Sequence, residues 1–108
     1  ERLTIPGSVV RKRTATAAEY DIVPSDYYVG VDTTAGDVMV WLPIEQPPGR
    51  ELVIKNEKNT NNIIVRVGVS TDPASVGFID EDAEITLGPF QALKVLADDL
   101  GTSRWFII

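Results

Sequence analysis

The fold class this sequence predicts is all-β: an antiparallel β-sandwich or barrel-like domain of about eight or nine short strands behind an extended N-terminal arm. Three observations predict it. Short runs rich in Val, Ile, Tyr and Thr recur along the 108 residues. Clusters of Gly, Pro, Asn and Asp separate them at roughly 8–12-residue spacing, the pattern of sandwiches and barrels. No window carries the 3.6-residue apolar period of a long amphipathic helix.

The elements follow in chain order. Residues 1–14 read as the arm, with Pro6-Gly7 detaching residues 1–5 as an extended tail. Residues 15–108 read as one domain, a length that yields a thin but adequate core. Strands are predicted near 9–19, 27–32, 38–42, 51–56, 62–67, 77–80, 84–87, 92–97 and 104–108. The Ala content of residues 14–20 leaves a short helix open there. Breakers stand between the strands, among them Pro24-Ser25-Asp26, Ala35-Gly36-Asp37, Pro47-Pro48-Gly49, Lys58-Asn59-Thr60-Asn61, Gly88-Pro89 and Asp99-Leu100-Gly101. No internal repeat stands out.

Alternation assigns the faces. Val38, Val40 and Leu42 share one face of their strand, with Met39 and Trp41 on the other. Ile63, Val65 and Val67 oppose Ile64 and Arg66, and Trp105 and Ile107 oppose Phe106 and Ile108. A strand with one wet face is polar at every second position, and these three are not. Two readings follow: cover by a loop or arm of the same chain, or burial against another subunit. The second makes Met39, Trp41, Phe106 and Ile108 the candidate subunit interface.

Composition excludes more than it assigns. The chain has no His and no Cys, which removes disulfides, zinc and haem sites as ordinarily built, and imidazole-based nucleophile systems. An enzyme is therefore not expected, and no catalytic residue, metal or cofactor is assigned. Asp80, Glu81, Asp82 and Glu84 lack the spacing and central Gly of a calcium loop and read as a solvated turn. Among the aromatics, Trp41, Trp105, Tyr20, Tyr27 and Tyr28 could stack on sugar rings or fill the core.

Charge is uneven. Residues 1–20 carry Arg2, Arg11, Lys12 and Arg13 against Glu1 and Glu19, a net +2, while residues 21–108 carry six basic and fourteen acidic side chains, a net −8. So acidic a body repels nucleic acid. Nor does any apolar run approach the roughly 20 residues of a membrane helix. Neither nucleic acid nor membrane is an expected partner. Arg11, Lys12 and Arg13 read either as an edge strand kept soluble by charge or as an arm docking on an acidic subunit. The chain opens on Glu1 rather than Met, which leaves open whether residues precede it.

A series of short motifs resembles one known family. They are Ala17-Ala18-Glu19-Tyr20, Asp26-Tyr27, Val31-Asp32-Thr33-Thr34-Ala35-Gly36 and Val38-Met39-Val40-Trp41-Leu42-Pro43. Gly49-Arg50-Glu51-Leu52-Val53-Ile54-Lys55, Asn62-Ile63-Ile64-Val65, Phe78-Ile79-Asp80 and Trp105-Phe106-Ile107-Ile108 follow. In this order, across about residues 15–108, they resemble a β-domain family of tailed-bacteriophage virion proteins, found in tail fibres, head fibres and capsid decoration proteins. The chain departs from the pattern at residues 69–75, which are extra, and at Glu81, where the pattern has Gly. The resemblance implies a non-catalytic homotrimer. The expected function is a capsid decoration or cement protein that binds and stabilises the head surface, made in the host cytoplasm. Its partners would be further copies of itself and the major capsid protein or other virion subunits. The alternatives are a tail-fibre or head-fibre receptor-binding or adaptor domain, for which a host glycan becomes a partner, and a carbohydrate-binding module.

Overall fold

The computed structural model describes residues 13–44, 47–72, 77–98 and 103–108, and among them there is no helix. The strands are β1 (Arg13–Thr16), β2 (Tyr20–Asp21), β3 (Tyr28–Val31), β4 (Val38–Leu42), β5 (Glu51–Asn56), β6 (Ile63–Val67), β7 (Phe78–Ile79), β8 (Glu84–Leu87), β9 (Ala92–Ala97) and β10 (Arg104–Ile107). The Ala-rich stretch considered for a short helix is β1, a bend and β2.

The strands form a six-stranded sheet, in the order β1-β3-β5-β9-β10-β7, and a four-stranded sheet, β2-β4-β6-β8. Both are mixed, which corrects the antiparallel expectation. β1, β3 and β5 run parallel, as do β2, β4 and β6. β8, β9 and β10 join antiparallel, and β7 pairs parallel with β10. From β1 through β9 consecutive strands alternate between the two sheets, and β10 then pairs antiparallel with β9 in the six-stranded sheet. A parallel pair needs a crossover of about a dozen residues or more, and here the strand in the other sheet, with its two corners, is that crossover. The chain therefore climbs as a coil through β1–β2, β3–β4 and β5–β6. Tyr28 pairs with Val53 and Val38 with Ile63, each 25 residues further on.

The core lies between the sheets. Val29, Val31, Leu52, Ile54, Leu93 and Val95 point in from one, and Val38, Val40, Leu42, Ile63, Val65 and Val67 from the other. The arrangement is sandwich-like. Trp105 closes the core beside β7 and donates its Nε1–H to the Pro43 carbonyl at 3.0 Å.

Polar side chains hold the corners, where backbone groups leave the ladders and would otherwise be unpaired. At the β3–β4 and β5–β6 corner, buried Thr33 donates to Asn56 Oδ1 at 2.9 Å. The Asn56 amide donates to the Asn61 carbonyl at 3.2 Å. At the opposite corner, buried Asp26 accepts from the Thr14 hydroxyl at 2.6 Å, the Tyr20 hydroxyl at 2.6 Å and the Val23 N–H at 2.9 Å. Arg50 donates to the carbonyls of Val23 and Asp26 at 2.8 and 2.9 Å. The first turn of the coil is thus pinned to the core by a carboxylate.

Candidate functional site

The outer face of the four-stranded sheet carries a cross-strand row of Asp21, Trp41, Arg66 and Glu84. Trp41 is only 2% exposed. Its Nε1–H donates to Glu19 at 2.7 Å, and the Arg66 guanidinium lies 5.8 Å from its ring centre. Arg66 Nε sits 3.3 Å from Glu84, an ion pair without hydrogen-bond alignment. Asp21 accepts from the Ser70 N–H at 2.9 Å and its hydroxyl at 2.6 Å, tying the chain after β6 to this face. Trp41, expected at a subunit interface, is therefore covered by its own chain. Met39 is half-buried in the next row, beside Ile64. With Trp41 and Trp105 both buried, neither indole offers a stacking face to a sugar.

The outer face of the six-stranded sheet is different. One row runs from Lys94 through Val53 and Tyr28 to Arg13, and Ile108 N–H extends it with a 2.9 Å bond to the Lys94 carbonyl. The neighbouring row is Phe106, Leu96 and Glu51. Phe78 lies on the same face, in register with Arg104. Here Phe106 is 36% exposed, Phe78 45% and Ile108 56%. The two-residue β7 covers only Arg104 and Trp105, leaving the end of β10 as a margin. Asp80 Oδ1 accepts the Ile107 N–H at 3.1 Å there, occupying one edge donor. Asp80 thus serves the turn after β7, and among the described residues no group of three or more acidic side chains is placed to hold a metal.

Of the four expected interface residues, the structure places Phe106 and Ile108 on one outer face and Met39 and Trp41 on the other. No single surface joins them. Arg13 lies in β1 on the open face, paired with Glu57 and 5.7 Å from the centre of the Tyr28 ring. Arg11 and Lys12, with the rest of the arm through residue 12, lie outside the described residues.

Beside Arg13 the open face dips into a depression of about 360 Å³ lined by Ala15, Thr16, Ala17, Gly30, Asp32, Glu57 and Lys58. Its floor is low because Ala15 and Gly30 are cross-strand partners. Gly30 leaves room for the Glu57 carboxylate to lie over β3, where a Cβ at Gly30 would collide with it. The Tyr28 hydroxyl donates to Glu57 at 2.8 Å. Burial first, and then that carboxylate, raise the Tyr28 pKa. Bonds from Thr34, one of them from its N–H at 2.9 Å, hold Asp32 below the usual carboxylate range.

Next to the depression the β8–β9 turn, Gly88-Pro89-Phe90-Gln91, presents Phe90. The Gln91 N–H donates to the Gly88 carbonyl at 3.1 Å, and the Phe90 φ is 59°. Pro at the second position and a left-handed residue at the third is a type II pattern, whose third position favours Gly or Asn. A Phe there costs about 1–2 kcal/mol in backbone strain, yet its ring is 57% exposed and gains little burial in return. Composition and alternation missed this residue. Its sequence signal is Pro89 followed by a bulky residue where the turn calls for Gly.

No family model, curated protein or solved structure matches the chain.

Proposed function

We propose that this domain is a non-catalytic structural module that works by contact with other protein subunits, as a homotrimer on a virion surface. The observation that carries the contact reading is the open face of the six-stranded sheet. Phe78, Phe106 and Ile108 remain exposed there while the core between the sheets is filled. Exposed apolar side chains gathered on one face mark interaction surfaces more often than chance scatter does. Self-association is the simplest use of such a face in a cysteine-free domain with a thin core.

The virion setting and the trimer rest on the sequence resemblance, and the capsid decoration role is its preferred form. Light scattering on the purified chain tests the self-contact: three times 11.8 kDa is expected, and a single-chain mass at micromolar concentration overturns it. Antibody labelling of intact particles tests the setting. Label on heads is expected, label on tail tips replaces decoration by the fibre reading, and unlabelled particles overturn the virion assignment.

A further inference from the structure

We infer that the Asp80 carboxylate is an edge guard: it takes the main-chain donor that β10 leaves open beyond β7, and so keeps strands of other copies from adding there. The inference goes beyond the contact proposed above, which uses a face of the sheet and not its edge.

The ladder shows how the guard is placed. Phe78 N–H donates to the Ser103 carbonyl at 2.9 Å and Asp80 N–H to the Trp105 carbonyl at 2.7 Å, so alternate residues 103, 105 and 107 turn their main-chain groups toward β7. The next donor on this edge is Ile107 N–H. No strand among the described residues meets it, because the chain turns away at Asp80, whose φ is 52°. The turn is closed by Ile79 N–H to the Asp82 carbonyl and Asp82 N–H to the Ile79 carbonyl, both at 2.8 Å. Asp80 Oδ1 instead accepts the Ile107 N–H at 3.1 Å. The left-handed region favours Gly or Asn, and an Asp that holds it here supplies an acceptor that Gly could not.

The other edges need no such device. β1 carries Arg13 with two threonines, β8 carries Glu84 and Thr86, and β2 and β7 are two residues long. Charge, polarity and shortness each discourage edge pairing. The end of β10 lacks the first two: Phe106, Ile107 and Ile108 are consecutive, apolar and 36%, 44% and 56% exposed. An uncharged, β-prone run beside an open donor is a template for strand addition. Covering its N–H removes the first hydrogen bond that an arriving strand would make.

The test compares two variants. Asp80→Gly suits the left-handed φ and removes the acceptor; Asp80→Asn also loses the carboxylate but keeps a side-chain oxygen in a residue that tolerates the same φ. In dilute Asp80→Gly the Ile107 amide should exchange with solvent about tenfold faster than in the wild type, because one hydrogen bond is lost. With rising concentration that variant should grow into species larger than the wild-type form, read by sedimentation and turbidity. Asp80→Asn should match the wild type in both measurements. If Asp80→Gly keeps the wild-type size at every concentration, or if Asp80→Asn grows as well, the guard is wrong. Both variants are compared with the wild-type chain at whatever mass it shows, so this test and that of the proposed homotrimer fail separately.

Discussion

Trp41 and Phe106 occupy comparable places, each an outward-facing aromatic on a strand whose inward face is also apolar. Yet Trp41 is nearly inaccessible, and Phe106 is 36% exposed. The difference lies in the neighbouring strands. Beside Trp41, the cross-strand partner is Arg66, which lays its guanidinium over the indole while Glu84 holds it from the next strand. Beside Phe106 the partner is Leu96, and beyond β10 the short β7 has already ended. Arg104 reaches the Phe106 ring from one side at 5.9 Å, much as Arg66 reaches Trp41, but Arg66 is held in place by Glu84 and Trp41 is further tied by Glu19, and Phe106 has no such second hold among the described residues. The four-stranded sheet is sealed by its own chain, and the six-stranded sheet is not.

If that contrast is right, Trp41→Ala should be the costliest change on either outer face. It leaves a void under Arg66 and strips Glu19 of its donor, so about 3–5 kcal/mol of stability should be lost. Association measured under folding conditions should be unchanged. Chemical denaturation monitored by Trp105 fluorescence reads the first and light scattering the second. A small loss of stability combined with lost association would mean that Trp41 is an interface residue after all.

The contrast also bears on what the sequence made legible. Local alternation located most strands closely: residues 38–42, 51–56, 84–87 and 92–97 are strands with the expected ends. Which side chains face the core was equally legible, because a period of two is a property of the strand itself. Pairing was not. Nothing local distinguishes a strand that returns beside its predecessor from one that crosses to the other sheet, so a breaker such as Ala35-Gly36-Asp37 marks where a strand stops and not where the next one pairs. The 25-residue offset from Tyr28 to Val53 and from Val38 to Ile63 was the available signal. It was hidden because the aligned residues share little but apolar character at most core-facing positions and diverge elsewhere, as Gly30 does from Lys55 and Trp41 from Arg66. Phe106 and Ile108 lie exposed on an outer face. Trp41 also faces outward but is covered, and that seal was not legible because it depends on Arg66 and Glu19, which reach it from a neighbouring strand and a bend.

A milder effect is expected at the far edge of the sealed sheet, where Tyr20 of β2 binds Asp26. Burial, followed by the hydrogen bond and charge of Asp26, pushes the Tyr20 phenol up to about 12 from an ordinary 10.0. The folded chain therefore keeps a proton that the unfolded chain releases. Its contribution is complete below pH 10 and is lost as pH rises to about 12. Tyr28, raised in the same direction, adds to the slope from the open face. Melting temperatures followed through this window should fall, and Tyr20→Phe should flatten the fall in part. An unchanged slope in that variant would show that the Asp26 corner does not hold the first turn of the coil.

Phe106→Ser gives the smallest expected change in stability, and for that reason it separates the two faces most cleanly. Its ring lies on the open margin, touched from one side by Arg104 at 5.9 Å and left uncovered on the other. Removing it takes little from the core, so stability should move by about 0.5 kcal/mol or less, the ordinary range for a surface substitution. Association should weaken nonetheless, because the apolar area lost is area that only a neighbour can bury. If denaturation instead shows a loss comparable with that of Trp41→Ala, the margin of β10 is part of the monomer's own packing. The distinction between a sealed and an open sheet would then fail, since both faces would be answering to the same internal core.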